Sequence, residues 1–224
     1  MIALGVDGHR HGWIAVWIDA AGRKGFKSIF AIDEILQFDA TITLIDVPIG
    51  LPEAGYRASD RAARVMLGEG RSRVLLSMRR PLLEHRYIVD YQAANARGKE
   101  IDGKGIAKQA HAILPKIAEV DALMTPKRQV RIRETHPELT FRRLKGNVHL
   151  DNKKTRDGRN QRRAELLKNG FEDIDRWLVQ IRGTGARADD LFDACAAAIA
   201  AVNPTQLECA KENDVRGLRM EMWY

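Results

Sequence analysis

Ile2-Ala3-Leu4-Gly5-Val6-Asp7-Gly8 is the stretch that decides the fold: an apolar run that closes on an acid, with a glycine after it. Ile2 to Val6 reads as a strand ending at Asp7, and Gly8 marks the place where the chain is expected to leave the sheet. After a short turn, Trp13 to Ile18 is a second run rich in β-branched and aromatic residues, and Asp19-Ala20-Ala21-Gly22 reads as a hairpin turn. Phe26 to Ile32 gives a third strand, Asp33 caps a short helix through Phe38, and Thr41 to Val47 is a fourth strand that stops at Pro48. Three sequential strands, a helix and a fourth strand open an α/β domain.

Beyond Pro48 the periodicity turns helical. Tyr56 to Leu67 interleaves Ala62, Ala63, Val65, Met66 and Leu67 with Arg57, Asp60, Arg61 and Arg64. Residues 78–126 read as a helical insertion: 78–105 are mixed and Gly-bearing, and Ile106 to Leu123 is helical, with Pro115 expected to kink or divide it. Gln129 to Thr135 alternates as a fifth strand, with Glu134 at its end before His136-Pro137. Gln161 to Lys168 is helical up to a stop at Gly170, and Phe171 to Ile181 forms a further amphipathic element. Asp189 is placed to cap a helix from Asp190 to Val202, whose small face (Ala194, Ala197, Ala198, Ala201) lets it lie close against a sheet. Arg216 to Tyr224 is read as a final edge strand.

The chain has 224 residues, 45% of them hydrophobic and 30% charged, which excludes disordered, collagen-like and disulfide-scaffold classes. That length fits a single domain over 1–224 that carries the insertion, with a full-sized core. No stretch approaches the ~20 apolar residues of a membrane span. Cys195 and Cys209 are too few for a disulfide framework and lack zinc-site spacing, and the N-terminus runs straight into a strand, so a cytoplasmic protein without membrane contact is expected.

Charge is uneven. Thirteen Lys and Arg against four acids lie between Lys127 and Arg163, so that stretch carries +9 of a net +7 and the remainder of the chain −2. Its densest part, Lys153 to Arg163, holds six cations and suits a phosphate backbone, with Lys153, Lys154, Arg156 and Arg159 as the expected nucleic-acid contacts. The alternative is a solvated loop and helix face that is merely basic.

Acids stand at comparable places along the chain: Asp7 at the end of the first strand, Asp46 at the end of the fourth, Glu134 at the end of the fifth, and Asp190 with Asp193 opening the last helix. Strand ends on one edge of a sheet converge, and the spacing of Asp190 and Asp193 puts both on one helix face. Apposed carboxylates repel unless they are protonated or neutralised, and hard oxygen ligands suit Mg²⁺ or Mn²⁺. Two such ions catalyse in-line phosphodiester hydrolysis. Each acid also has a plain structural role: Asp7 as a turn former, Asp46 as an orienter of Pro48-Ile49-Gly50, Asp190 as a first-turn charge on its helix.

Five motifs carry a resemblance to a known family. They are Gly5-Val6-Asp7-Gly8 with Gly12-Trp13, Ile45-Asp46-Val47-Pro48-Ile49-Gly50-Leu51-Pro52, Asp60-Arg61-Ala62-Ala63-Arg64, Glu134-Thr135-His136-Pro137-Glu138, and Asp189-Asp190-Leu191-Phe192-Asp193-Ala194. In this order the chain resembles the ribonuclease H-like superfamily, and within it a predicted-nuclease family, domain-of-unknown-function family 429. The resemblance implies a mixed five-stranded sheet, three strands antiparallel and two further ones parallel, flanked by helices. It also implies a metal-dependent nuclease in which Asp7 bridges the ions, Asp46 is the second ligand, and Asp190/Asp193 is similar to the closing acidic pair of Holliday-junction resolvases. On the same footing Glu134 or His136 binds metal, orients water or shapes the site.

His136 beside Glu134 is the best-placed general acid or base, while His9 and His11 read as exposed loop histidines or as phosphate contacts. Arg57, Arg61 and Arg64 either face the same cleft, with Arg61 touching substrate, or cover a solvated helix face. Two rival functions stay open. Actin-like and sugar-kinase phosphotransferases share the sheet order, although 224 residues leave little room for their duplicated domain. A non-catalytic nucleic-acid-binding module keeps the scaffold without turnover.

Overall fold

The computed structural model describes residues 1–76 and 78–224. Its centre is a five-stranded mixed sheet of order β3-β2-β1-β4-β5, formed by β1 (Ile2–His9), β2 (Gly12–Asp19), β3 (Lys24–Ile29), β4 (Ile42–Ile45) and β5 (Ile132–Glu134). β1, β2 and β3 pair antiparallel, whereas β4 and β5 run parallel to β1. Helices flank the sheet, so the chain is α/β with an arrangement consistent with a ribonuclease H-like fold.

Alternation along β1 divides its side chains between two cores. Leu4 and Val6 share a cluster with Trp13, Ile45, Ile117 and Leu123, while Ala3 lies with Leu44, Ala197 and Ala200. The first face is covered by the segment between β4 and β5. Its helices are α1 (Ala58–Leu67), which packs to the side with Leu139, Leu207 and Met222, and α2 (His85–Val89), α3 (Tyr91–Asp102), α4 (Lys108–Ala112) and α5 (Leu114–Leu123), which supply the cover. The expected insertion is therefore helical, and Leu82, Ala94, Ala110 and Leu114 within it share the core of the sheet. Pro115 divides Ile106–Leu123 into α4 and α5, sitting in the first turn of α5 where its missing N–H costs nothing. The second face is covered by α9 (Ala188–Val202), backed by α6 (Pro137–Leu144), α7 (Arg156–Lys168) and α8 (Ile174–Gln180).

α9 lies almost on the backbone of β1. A Cβ on Gly5 would fall 2.1 Å from the Ala198 nitrogen and 2.3 Å from the Ala194 oxygen, so only glycine fits there. The alanine face and Gly5 make this approach together, and they set the distance at which α9 can present side chains to the strand ends.

Several expectations are corrected. β1 does not end at Asp7 but continues two residues to His9 and turns at Arg10-His11. Gly8 is paired with Trp13 and is no exit; the Trp13 ring and Lys116 occupy the space a side chain would fill. The first ordered element after β3 is a 3₁₀ segment, Ile32–Phe38, that takes the end of the expected third strand. β5 is shorter than Gln129–Thr135, since Arg128–Val130 is a 3₁₀ turn pinned by Gln129, which donates to the Arg219 carbonyl and accepts from the Arg219 amide. Arg216–Tyr224 is no strand; it meets the sheet edge where the Trp223 amide donates to the Glu134 carbonyl and Trp223 bridges Thr135, and Trp223 also bridges Gln206 outside the sheet. α7 starts at Arg156, five residues early, because the Thr155 hydroxyl accepts from the Gly158 amide. Asp189 does not cap α9: the Ncap is Arg187, whose amide donates to the Asp190 carboxylate.

Candidate metal centre

Parity places the first two acids. Asp7 is two residues beyond Gly5 on β1 and faces α9, and its Oδ1 is fixed by the Gly8 amide at 2.7 Å. Asp46 follows Ile45, and its amide donates to the Val6 carbonyl, which keeps the chain beside β1 for one residue after β4 ends. Ile45 points into the core under the inserted helices, so Asp46 turns toward α9. Asp193 then comes down from α9 itself. One carboxylate oxygen from each of Asp7, Asp46 and Asp193 lies within 4.8 Å of the others.

This is an expensive arrangement for a metal-free protein. Burial, and after it the charges of Asp46, Asp193 and Asp190, push the Asp7 carboxyl well above its ordinary range. Burial and then Asp193 do the same to Asp46. Asp193 is pushed up to about 6, again chiefly by burial, with Lys153 pulling the other way. Only 3% of Asp193 is exposed, and its Oδ1 is buried without a hydrogen-bond partner. Its Oδ2 accepts from the Lys153 ammonium at 2.5 Å. Asp193 in turn, with Asp46 and Asp7 behind it, raises Lys153 well above the usual lysine range against its own burial. Three carboxylates thus share one tethered cation.

The remaining expected site residues fall in three groups. Asp190 opens α9 close enough to raise Asp7, but its Oδ2 accepts from the Arg187 amide, and it is not one of the three acids whose oxygens converge. Its own carboxyl is raised by burial. Glu134 pairs in register with Ile45 and so points to the opposite face from Asp46. There it accepts from the Ile49 amide at 2.7 Å and from both Arg57 terminal nitrogens at 2.6 and 2.7 Å, and Arg57 also grips Asp60. Burial works against the charge of Arg57, but Asp60 and Glu134 outweigh it and keep the guanidinium cationic. Glu134 therefore braces the loop that leaves Asp46, and Arg57 is a buried brace, on neither a solvated helix face nor a substrate cleft.

His136 is the Ncap residue of α6. Burial brings its pKa down to about 4, and its Nδ1 is buried without a partner. It is a neutral imidazole beside Glu138 and Lys153, outside the converging set. His9 is buried, contrary to the exposed-loop expectation, because β1 carries it inside the sheet; its Nε2 has no partner either.

The basic stretch resolves into different roles. Lys154, Arg156 and Arg159 are exposed, as is Arg61 on α1. Lys153 instead reaches the carboxylates. Arg162 is fully buried and bridges Glu138, which also receives Arg73, so that hydrogen bonds and charge hold Glu138 below its ordinary range despite burial. Sequence reading did not anticipate this Arg73–Glu138–Arg162 network. The one available signal was Glu138 inside the Lys127–Arg163 basic stretch, in a motif whose other acid, Glu134, is also ion-paired.

Among the described residues, no helix is long and apolar enough to cross a membrane, and both cysteines are free thiols. No curated protein and no solved structure matches the chain significantly. Residues 5–212, which hold the three converging aspartates and all five motifs, match the model of a family described as "Protein of unknown function (DUF429)", and the chain belongs to that family.

Proposed function

We propose that this protein is a divalent-metal-dependent nuclease of the ribonuclease H-like superfamily, hydrolysing phosphodiester bonds in nucleic acid. The observation that carries the reading is the convergence of one carboxylate oxygen from each of Asp7, Asp46 and Asp193 within 4.8 Å, at a buried Asp193 whose Oδ1 has no hydrogen-bond partner. Three hard oxygen donors in a buried setting fit Mg²⁺ or Mn²⁺ and do not fit zinc, whose usual nitrogen and sulfur ligands are missing from the set. When bound, such an ion supplies Lewis-acid stabilisation for an in-line phosphoryl displacement.

The residues of the chain divide the remaining work. Asp7, held by the Gly8 amide, and Asp46, held beside β1, are rigid ligands on the sheet, and Asp193 is delivered by α9. Asp190 stands next to them as an outer charge. The Lys153 ammonium neutralises the carboxylates while the centre is free, and it can pass to a phosphate oxygen when substrate arrives. His136, neutral at physiological pH, is able to accept a proton near Lys153. Lys154, Arg156, Arg159 and Arg61 are exposed cations available to a phosphate backbone.

Asp7→Asn and Asp46→Asn are expected to abolish Mg²⁺- or Mn²⁺-dependent cleavage of nucleic acid, by at least about 10³-fold for the loss of a charged metal ligand, while far-UV circular dichroism stays unchanged. Cleavage that survives both substitutions sinks the assignment. ATP-dependent thermal stabilisation would indicate a phosphotransferase instead, and absence of divalent binding in a titration would indicate a non-catalytic module.

A further inference from the structure

Two connected cavities lie on the face of the sheet that the inserted helices cover, away from α9. The first, of about 820 Å³, opens beside the Arg10-His11 turn of the β1–β2 hairpin and runs between the 3₁₀ segment Ile32–Phe38 and α5. The second, of about 790 Å³, continues from it: Leu36 and Arg128 line both, and Lys127 and Arg131 line the far part. Together they form a groove that starts at the hairpin carrying Asp7.

The lining carries exposed apolar side chains and more cations than acids, with Arg10, Lys116, Lys127, Arg128 and Arg131 against Asp33, Asp39 and Glu119. Phe30 is 83% exposed at the first cavity and Leu36 is 47% exposed between the two. Lys127, Arg128 and Arg131 are exposed and have no ion-pair partner among the described residues, and Asp39 is the one acid lining the second cavity. These cations belong to the basic stretch but not to its Lys153–Arg163 part, where Lys153, Arg162 and Arg163 are engaged by Asp193, Glu138 and Asp175.

We propose that this groove is a binding track for single-stranded nucleic acid. The identity of the polymer rests on the proposed phosphodiester reaction, since the groove itself supplies a cationic excess and apolar faces and nothing specific to a nucleotide. Unpaired cations bind phosphates by counterion release, and an exposed aromatic ring offers a base a stacking surface. A duplex hides its base faces and leaves Phe30 and Leu36 facing phosphate and water. A membrane surface is flat and does not enter a concave groove, and an acidic peptide offers Phe30 no base to stack on.

The test is fluorescence anisotropy with a labelled single-stranded oligodeoxynucleotide and oligoribonucleotide, and with a duplex of the same sequence, all in EDTA so that no cleavage intervenes. Single strands are expected to bind at least tenfold tighter than duplex. Lys127→Glu with Arg131→Glu should weaken single-strand binding at least tenfold and reduce the slope of log K against log salt by about 1.4, at roughly 0.7 per phosphate contact. Phe30→Ala should weaken it about fivefold or more. Lys168→Glu with Arg176→Glu, the same net-charge change placed on α7 and α8, should cost under about threefold. All these side chains are exposed, so Tm serves as a folding control. Equal binding of duplex, full affinity in the groove variants, or tighter binding of anionic vesicles or a polyglutamate peptide overturns the proposal. Strand binding that needs the groove, without any metal-dependent cleavage, would remove the proposed reaction and leave the track; cleavage indifferent to these substitutions would do the reverse.

Discussion

Lys153 Nζ stands 2.5 Å from Asp193 and its charge acts on Asp7 and Asp46 as well, so its removal separates two effects that are usually confounded. In Lys153→Met the free protein loses the charge-assisted hydrogen bond to Asp193 and becomes less stable. A divalent ion then meets no tethered competitor. On the proposed reading, calorimetric titration should show Mn²⁺ binding strengthened about tenfold, equivalent to the ~1.5 kcal/mol of one such bond. Unchanged or weaker Mn²⁺ binding would mean that Lys153 is a support of the site and not a stand-in. The acid at the other end of that bond gives a pH signature. Asp193 titrates near 6 in the folded protein, above its ordinary 3.8. A raised acid contributes stability that is complete below the unfolded value and is lost as pH rises through the folded one. In EDTA, wild-type Tm should therefore fall between pH 4.5 and 7.5 more steeply than that of Asp193→Asn; parallel profiles would show that Asp193 is not strained by its neighbours.

The distance between α9 and β1 is an element-scale property that rests on Gly5. Adding a methyl group there places a carbon 2.1 Å from the Ala198 nitrogen, backbone against backbone, where no rotamer change gives relief. Gly5→Ala should cost at least ~2 kcal/mol in denaturant unfolding and, because α9 carries Asp193, should also abolish Mn²⁺ binding in the fraction that still folds. A variant that is destabilised but binds Mn²⁺ normally would uncouple the helix from the site. This contact also marks what a single sequence reveals. The alanine spacing at 194, 197, 198 and 201 and the apolar run ending in Asp7 are local patterns, and both point to elements that the structure contains and that bring Asp7 and Asp193 together. Glu134 was ranked with Asp46 because both close strands, yet its pairing with Ile45 turns it to the other face, and a register shift of one residue is invisible without the partner strand. Lys153 was one cation among six in its run, and only tertiary packing distinguishes it from Lys154. Asp190 was drawn as the twin of Asp193 from helical spacing alone, whereas the Arg187 amide claims its carboxylate.

At the scale of the whole molecule, the carboxylate centre joins parts of the chain that are far apart in sequence: Asp7 from the first hairpin, Asp46 from the loop braced by Glu134 and Arg57, Asp193 from the last helix, and Lys153 from the stretch before α7. A ligand that binds only when the three aspartates are in place must stabilise the entire fold. At a free Mn²⁺ or Mg²⁺ concentration 100 times the dissociation constant, mass action adds ~2.7 kcal/mol, a rise in Tm of about 5–10 °C for a chain of this size. Calorimetric scans at pH 7.5 should show that rise for wild type and its absence for Asp46→Asn, which removes a ligand without touching the Arg57 brace. At pH 4.5 the rise should shrink, because protons and the ion compete for carboxylates whose proton affinity the fold has raised. Monovalent salt at equal ionic strength screens the exposed Lys127–Arg131 cations but cannot replace an ion held by three converging acids, so NaCl should reproduce none of the stabilisation. Equal stabilisation of Asp46→Asn, or by NaCl, would mean that the cation acts on surface charge and that the three aspartates hold no ion at all.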